Sequence, residues 1–498
     1  MSIKMEEVRD LISKMRIIGS DTQTCEVKEA GKSLPENLLE TISAFANKEG
    51  GLIILGLSEK KSFRPVEGFD VQRIYSALLG VGDKLTPRCR LEVEILPFEG
   101  THIIVAQVPA IGYKERPCYV TSKGVYLGSY IRTGDGDRRL TQYEIDRLRE
   151  EHTQPKFDIE AVTEASIEDL NEQVLNAIVA RHRLLTPRYF GKMKTQDILI
   201  KLGVLRNVQG VIHPTIAGLL VAGEFPQQYF PRLNVTFTVY PGTTKAQSAG
   251  QPYRYLDSKT IDGSIPEIVL DAVAMLKKNM RTGALIEESL REEVTDYPIL
   301  AFREALVNAL QHRDYSPDGR GSQVQVNLFS DRLEILNPGG LYGAASIESM
   351  SPGISATRNV NLSRLLESTP SLDGVGNGQF VIENRGTGLL QIQDSLTQAL
   401  MPPARIVDHI SAFSITFFKC KLTDDERSLT RWENVELALV RELGKKGSLS
   451  IAEITQASGM NRRTISKYLN RLVDEGVVER TEPLRSPKQR YRLKSDAS

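Results

Sequence analysis

The residues with the clearest chemical potential lie in one stretch, Tyr297 to Ser316, YPILAFREALVNALQHRDYS. Phe302, Leu306, Ala309 and Leu310 recur at helical spacing and mark a core stripe. Glu304, Asn308, Gln311 and His312 recur on the opposite side, so a carboxylate and an amide one turn apart project together. An asparagine oxygen is a hard, neutral ligand suited to Mg2+, the ion that bridges nucleotide phosphates. A carboxylate one turn away can orient or deprotonate a water that attacks phosphorus. Taken alone, the pattern is also that of a solvated polar face, and its downstream context supplies the chemical meaning. VQVNLFSDRLEILNPGGL reads as two strands running into Asn337-Pro338-Gly339-Gly340, and in ENRGTGLLQIQDSL the triplet Gly386-Thr387-Gly388 opens a helix. Glycines ahead of a helix let backbone N–H groups approach a phosphate, where the helix N-terminus favours negative charge.

A second chemical signal lies near the other end, in SIAEITQASGMNRRTISKYLNRLVDEGVVERTEPLRSPKQRYRL. A helix beginning at Ile451, a turn at Gly459 and a second helix capped by Asn461 form a helix-turn-helix, with Ile465, Leu469 and Leu472 inward. Arg462, Arg463, Thr464, Ser466 and Lys467 crowd the part of that second helix that enters a major groove. VVERTE and QRYRL read as a two-stranded wing carrying Arg485, Lys488 and Arg490. Asn461 to Lys494 holds ten lysines and arginines against four carboxylates, a local charge of +6. Neutralised phosphates release counterions, so binding to duplex DNA should weaken steeply with salt.

The elements that must position these groups follow from length and pattern. The chain has 498 residues, too many for one core, and three or four domains are expected. Lys plus Arg equals Asp plus Glu at 63 each, so any nucleic-acid surface must be local. Cys25, Cys89, Cys118 and Cys420 are scattered without metal-ligand spacing and read as free thiols of a reducing cytoplasm. The N-terminus carries acids and no apolar run, so a signal peptide is not expected, and no stretch approaches a membrane span. Residues 1–155 read as an α+β domain: an amphipathic first helix, a helix over Pro35 to Gly51, the strand LIILGL, the hairpin LEVEILP/HIIVAQVP and a strand in GVYLGSYIR. Residues 156–293 read as a mainly helical connector with some mixed α/β structure, residues 294–422 as the unit holding Glu304, and residues 423–498 as a charged linker followed by the winged helix.

REALVNALQHRDYS, NPGGL, RNVNLSRLL and ENRGTGLLQI together resemble the divergent GHKL-type ATPase domain of a widespread family of bacterial regulators. The resemblance implies an α/β sandwich that binds ATP with Mg2+ between helices and a sheet. It implies Glu304 as general base, Asn308 as Mg2+ ligand with His312 on the same face, Gly339 as the first glycine turn, and Gly386, Thr387 and Gly388 as the phosphate-facing box. Arg358 and Asn359 would lie in the lid. One departure is that Asn337 stands where the family presents an aspartate to adenine. An amide accepts the same hydrogen bond without the carboxylate's charge, so whether bound ATP is turned over, even weakly, stays open.

DTQTCEVKEAGKSLPENLLETISAFANKEGGLIILGLSE, with Tyr130-Ile131-Arg132 and Gly134, resembles the Schlafen-type, divergent AlbA-like domain that precedes this ATPase in the same family. It implies nucleic-acid binding through Lys28, Lys32 and Arg132. Some such domains are metal-dependent nucleases with carboxylates five apart, a spacing that Asp21 and Glu26 share, with Glu59 as a third. The alternative is that Asp21 caps a turn and Glu26 pairs with Lys28 or another base. The resulting expectation is a cytoplasmic, ATP-binding, homodimeric transcriptional regulator acting on double-stranded DNA, with a nuclease or defence effector and a non-hydrolysing nucleotide-sensing scaffold as alternatives.

Overall fold

The structure is a computed structural model that describes residues 5–133, 136–246, 254–280, 282–287, 290–343, 356–375, 380–382, 388–399, 401–419, 439, 443, 447–458, 462–474, 477–482 and 489–494. The chain divides into two units, one holding residues 1–280, 299–392 and 405–416, the other residues 281–298, 393–404 and 417–498.

The first unit opens with a four-stranded sheet in the order Cys25–Lys28, Gly51–Leu55, Thr101–Val108, Glu92–Phe98. The first pair is parallel and the others antiparallel. Both faces of this sheet are covered, and strand alternation decides which side chains go where. Ile53, Leu55, Ile104 and Ala106 face Leu38, Ile42 and Phe45 of the helix Leu38–Ala46. Ile54, Ile103 and Val105 face Val8, Ile12 and Met15 of the amphipathic helix Met5–Ile18. Asn47 ends the first of these helices and spends its amide on backbone: Nδ2 donates to the Cys118 and Tyr130 carbonyls at 2.8 and 2.9 Å, and Oδ1 accepts from Cys118 N at 2.6 Å. The strand expected in GVYLGSYIR begins only at Tyr130. Val125–Gly128 is instead a helical turn, closed by the Ser129 hydroxyl donating to Val125 O at 2.6 Å.

The connector contains the helices Glu172–Leu185, Thr195–Leu202 and Ile216–Ala222, with the small hairpin Leu205–Val208/Val211–Pro214 between the last two. Beyond it, a six-stranded sheet runs in the order Asp257–Ile261, Val235–Val239, Val324–Leu328, Arg332–Pro338, Ala412–Phe418, Arg405–His409. Val235–Val239 pairs in parallel with Val324–Leu328. Two strands from the expected connector, one of them the edge strand Asp257–Ile261, therefore belong to the sheet that carries the candidate site, and a boundary at residue 293 does not separate two cores. The helices Ile265–Asn279 and Ile299–His312 cover this sheet, with Phe302 meeting Phe237 edge-on at 6.3 Å.

The helix Gln142–Glu150 ends the first domain and is itself fixed by a capping box between Thr141 and Glu144. Its outer face docks on the segment just after the site helix. The Tyr143 hydroxyl donates to Asp314 Oδ2 at 2.7 Å and Arg147 Nη1 donates to the same oxygen at 2.9 Å. Asp314 is 1% exposed and Arg147 7%. The chain then wraps onward: Gln154 donates to the Arg358 carbonyl at 2.9 Å, and Asp158 caps the helix Val360–Leu366 through Asn361 N and Leu362 N.

In the second unit, Thr282–Glu287 and Leu290–Thr295 form a hairpin, and Lys419 pairs with Asp296 at 2.7 Å. The helices Ile451–Ser458 and Arg462–Asp474 pack with a three-stranded sheet ordered Ser448–Leu449, Tyr491–Leu493, Val478–Arg480. Ile465, Leu469 and Leu472 are buried there with Leu439, Ile454 and Tyr491, as the helical spacing predicts.

Breaking a buried pair by removing one partner leaves an uncompensated charge and costs roughly 3–5 kcal/mol. Arg147→Met is expected to lower the free energy of unfolding by about 3 kcal/mol, at the low end because Tyr143 still donates to Asp314. Denaturant titration of the two proteins measures it, and an unchanged midpoint would remove this contact from the account.

Candidate functional site

Between Ala301 and Gln311 the site helix is buried at every position except Glu304 and Asn308, and His312 continues that half-buried line. Three polar residues at i, i+4 and i+8 thus form one opening in a helix otherwise enclosed by core. Gln311, expected on the same face, is buried and donates to Ser363 Oγ at 3.0 Å. Burial, with the Arg358 charge nearby, pushes the His312 imidazole down to about 4, so it is neutral near pH 7.

Gly388, the first residue of the helix Gly388–Gln398, faces the Asn308 amide so closely that a Cβ on it would lie 2.9 Å from Nδ2. Any side chain on this residue would force the Asn308 amide to shift. Gly386 and Thr387 lie outside the described residues. Gly339 adopts φ +90°, and a Cβ there would meet Arg358 Nη1 at 2.7 Å and Asp314 Cβ at 2.9 Å. Asp314 N in turn donates to Pro338 O at 2.9 Å. Although burial opposes ionisation, the Arg358 charge and the contacts from Tyr143 and Arg147 hold the Asp314 carboxyl below its ordinary range.

Asn337 is 3% exposed and its Oδ1 is buried with no hydrogen-bond partner among the described residues. An unmet buried acceptor costs roughly 1–3 kcal/mol, so a ligand that donates to it has something to gain. Arg358 is also buried; Nη2 donates to Gly340 O at 2.9 Å, and Nε is without a partner among the described residues. Asn359 has a different role. Its Nδ2 donates to the Gln311 and Arg313 carbonyls at 2.9 and 2.8 Å, tying off the end of the site helix.

Composition signalled none of the buried charges around this site. Arg303 contacts Glu304 and Asp373, Arg313 donates to the Gly319 and Ser322 carbonyls, and Asp314 anchors the first domain. Their only sequence signal is the density of charged residues beside aromatic ones in HRDYS.

In the first domain two of the three cations assigned to nucleic acid, Lys28 and Arg132, are engaged elsewhere. Glu26, 8% exposed, is held by Lys28 at 2.7 Å and by Arg132, which also binds Asp137 at 3.2 Å and the Thr22 carbonyl at 3.0 Å. Lys28 and Arg132 are 8% and 1% exposed, so they compensate a buried carboxylate and do not offer free charge. Lys32 is exposed. Asp21 accepts from Val27 N at 3.1 Å, and burial, then the Glu26 and Glu59 charges, push its carboxyl up to about 7. The carboxylates are therefore near one another, but Glu26 already has two cations, and no cluster of three or more metal-ligating side chains occurs among the described residues.

In the winged helix, Arg462, Arg463, Thr464, Ser466 and Lys467 all lie in the first half of Arg462–Asp474. Arg485 and Lys488 lie outside the described residues. Arg490 is engaged: it pairs with Glu453 at 2.8 Å and donates to Ser448 O at 3.0 Å, fastening the wing to the start of the helix Ile451–Ser458.

Because the Asp21 carboxyl ionises later in the folded chain than in the unfolded one, its buried charge destabilises the fold progressively as pH rises from about 4 to about 7. Asp21→Asn should therefore match wild type near pH 4, become increasingly more stable toward pH 7 and hold a constant advantage above it. Melting temperatures across that range decide this; an advantage that shrinks with pH would contradict the burial argument.

Four family models match successive parts of the chain. Residues 21–141 match a Schlafen AlbA_2 domain, and residues 146–236 a domain of unknown function. Residues 321–417 match the C-terminal domain of a putative ATP-dependent DNA helicase RecG, and residues 434–479 a winged helix-turn-helix DNA-binding domain. The third match contains Asn337, Gly339 and Gly388 but stops short of Glu304 and Asn308. No curated protein matches the chain. Among solved structures, the DIP2311 protein of Corynebacterium diphtheriae is 16% identical, with 98% of this chain and 97% of that chain covered at a TM-score of 0.40. The N-terminal domain of a putative ATP-dependent DNA helicase RecG-related protein of Nitrosomonas europaea is 26% identical over 26% of this chain and 92% of its own, at a TM-score of 0.22. At those scores neither likeness carries an argument. No helix among the described residues is long and apolar enough to cross a membrane. The family matches, taken in order, give this chain the multidomain α+β architecture that its motifs imply: a Schlafen AlbA_2 domain, a RecG-like C-terminal domain of the GHKL ATPase type and a terminal winged helix.

Proposed function

We propose that this chain is a DNA-binding transcriptional regulator whose DNA-binding modules respond to ATP bound beside the site helix. The observation that carries the reading is the approach of Gly388 to the Asn308 amide, which leaves a backbone N–H group at a helix start next to a side chain suited to Mg2+. The unmet Asn337 oxygen supports it, since the exocyclic amino group of adenine is a donor. In this reading Asn308 holds Mg2+ through its amide oxygen, and the ion offsets phosphate charge. Gly386, Thr387 and Gly388 would face the phosphates, Gly339 would keep its turn packed against Asp314 and Arg358 at the edge of the site, and Asn337 would face the base.

Glu304 is the residue that would accept a proton from water if ATP is turned over. The water oxygen bonds to the γ-phosphorus, the bond to the β–γ bridging oxygen breaks, and ADP departs with that electron pair. Arg462, Arg463, Thr464, Ser466 and Lys467 would read a major groove, and the homodimer implied by the resemblance would present two such helices to two half-sites. A nuclease centred on Asp21 and Glu26 is disfavoured by the two cations already bound to Glu26.

Titration calorimetry with Mg2+ and ATP tests the first half. Wild type is expected to bind and Asn308→Ala to bind at least about tenfold more weakly, the cost of roughly 1.4 kcal/mol. Absence of binding by wild type removes the proposal. For DNA, Arg462→Ala/Arg463→Ala should weaken duplex binding and reduce the slope of log affinity against log salt by about 2. Fluorescence anisotropy at several salt concentrations measures this, and a variant that binds like wild type rejects the helix as the reading element.

A further inference from the structure

Glu304 does not stand alone at the mouth of the site: the residue before it, Arg303, is 4% exposed and gives its guanidinium to four acceptors. Nη1 donates to Glu304 Oε1 at 3.0 Å and Nε to Asp373 Oδ2 at 2.8 Å. Nη2 donates to Ser371 Oγ at 3.2 Å and to the Val381 carbonyl at 3.0 Å. Ser371 and Asp373 precede the glycine-rich stretch GVGNG, and Val381 follows it, so one planar cation joins both of its ends to the Glu304 carboxylate. Asp373 is fixed in turn, its Oδ1 accepting from Val375 N at 2.8 Å. The Phe380 ring, next to Val381, is covered by the Arg181 guanidinium at 3.5 Å from its centroid.

The chemistry of this arrangement is specific to arginine. A buried guanidinium is tolerated only when its donors are met, and the fork reaches acceptors in several directions at once. Lysine brings the charge on a single nitrogen and cannot span the same set. Glu304 and Asp373 therefore share one cation, and the position of one carboxylate depends on the contact made by the other. We propose that Arg303 is a positioning residue that sets the Glu304 carboxylate for water activation, with Asp373 as its counter-anchor. This rests on the reading of Glu304 as the base of an ATP-hydrolysing site.

The test compares full-length wild type, Asp373→Asn, Ser371→Ala and Arg303→Lys. A non-hydrolysable ATP analogue gives affinity by calorimetry, steady-state turnover gives kcat, and denaturant titration of the nucleotide-free chain gives stability. Misplacing a reacting group by about 1 Å can cost about a hundredfold in rate. Asp373→Asn should therefore keep its analogue Kd within about threefold of wild type and lose ten- to a hundredfold in kcat. Ser371→Ala, which leaves both ion pairs intact and will fold, should lose only a few-fold in kcat with Kd unchanged. In the nucleotide-free chain the stability cost of Asp373→Asn should vanish in the Arg303→Lys background, because the two residues act as one unit.

Unchanged kcat in Asp373→Asn overturns the proposal. So does a parallel fall in kcat, affinity and unfolding midpoint, since that is the signature of a merely structural contact. Wild type that binds the analogue without turnover overturns the proposal and leaves nucleotide binding standing, whereas wild type that does not bind overturns both.

Discussion

Asp314 is a carboxylate with almost no contact with water, and much of the first unit is arranged around it. It accepts from Tyr143 and Arg147 of the first domain's closing helix and from Ser316 N at 2.8 Å within its own turn. A buried charge persists only when it is paired and hydrogen-bonded, so withdrawing either domain would leave Asp314 without the partners that compensate it. The same residue lies against Gly339, whose left-handed backbone and absent Cβ make space for it and for Arg358. The glycine turn of the proposed nucleotide site is thus built directly on the interdomain contact. Along segment 150–154, burial raises the Glu150 and Glu151 carboxyls to about 7, and Gln154 holds the Arg358 carbonyl.

The first domain and the ATPase-like domain use buried charge differently. Around Glu26, two cations balance the carboxylate's charge within a network through Asp137 and Thr22, while Glu26 Oε2 and Arg132 Nε each lack a hydrogen-bond partner among the described residues. Around the site helix, satisfaction is incomplete: Asn337 and Arg358 each keep a buried polar atom without a partner among the described residues. What differs is that the unmet group at Asn337 is a neutral acceptor, which a bound donor would satisfy.

The sequence made the site helix legible because its polar residues interrupt the apolar ones at 3.6-residue period. The same period placed Ile465, Leu469 and Leu472 in the winged-helix core. Charge was read less well. Lys28, Arg132, Arg303 and Asp314 look like surface residues in a list of letters, since charged side chains are rarely buried. Lys28 pairs locally with Glu26, as the alternative reading has it, but Arg132, Arg303 and Asp314 are held by partners far apart in the chain, which local pattern does not encode. LNVTFTVY reads as a strand, but not as a member of the site's sheet, because the partner of Val235–Val239 in that sheet, Val324–Leu328, is remote in sequence. Arg490 was read as free charge, yet it secures the wing to Glu453.

The central claim is that a nucleotide occupies the opening made by Glu304, Asn308 and His312, over a glycine turn that is fastened to the first domain through Asp314. Hydrogen exchange with mass spectrometry, with and without Mg2+ and ATP, addresses both parts in one measurement. Slower exchange is expected in peptides covering 304–312 and 337–343, and also in Gln142–Glu150, which does not contact the nucleotide in this account. Protection confined to segments outside 304–312 and 337–343, or no change on adding ATP, would contradict it.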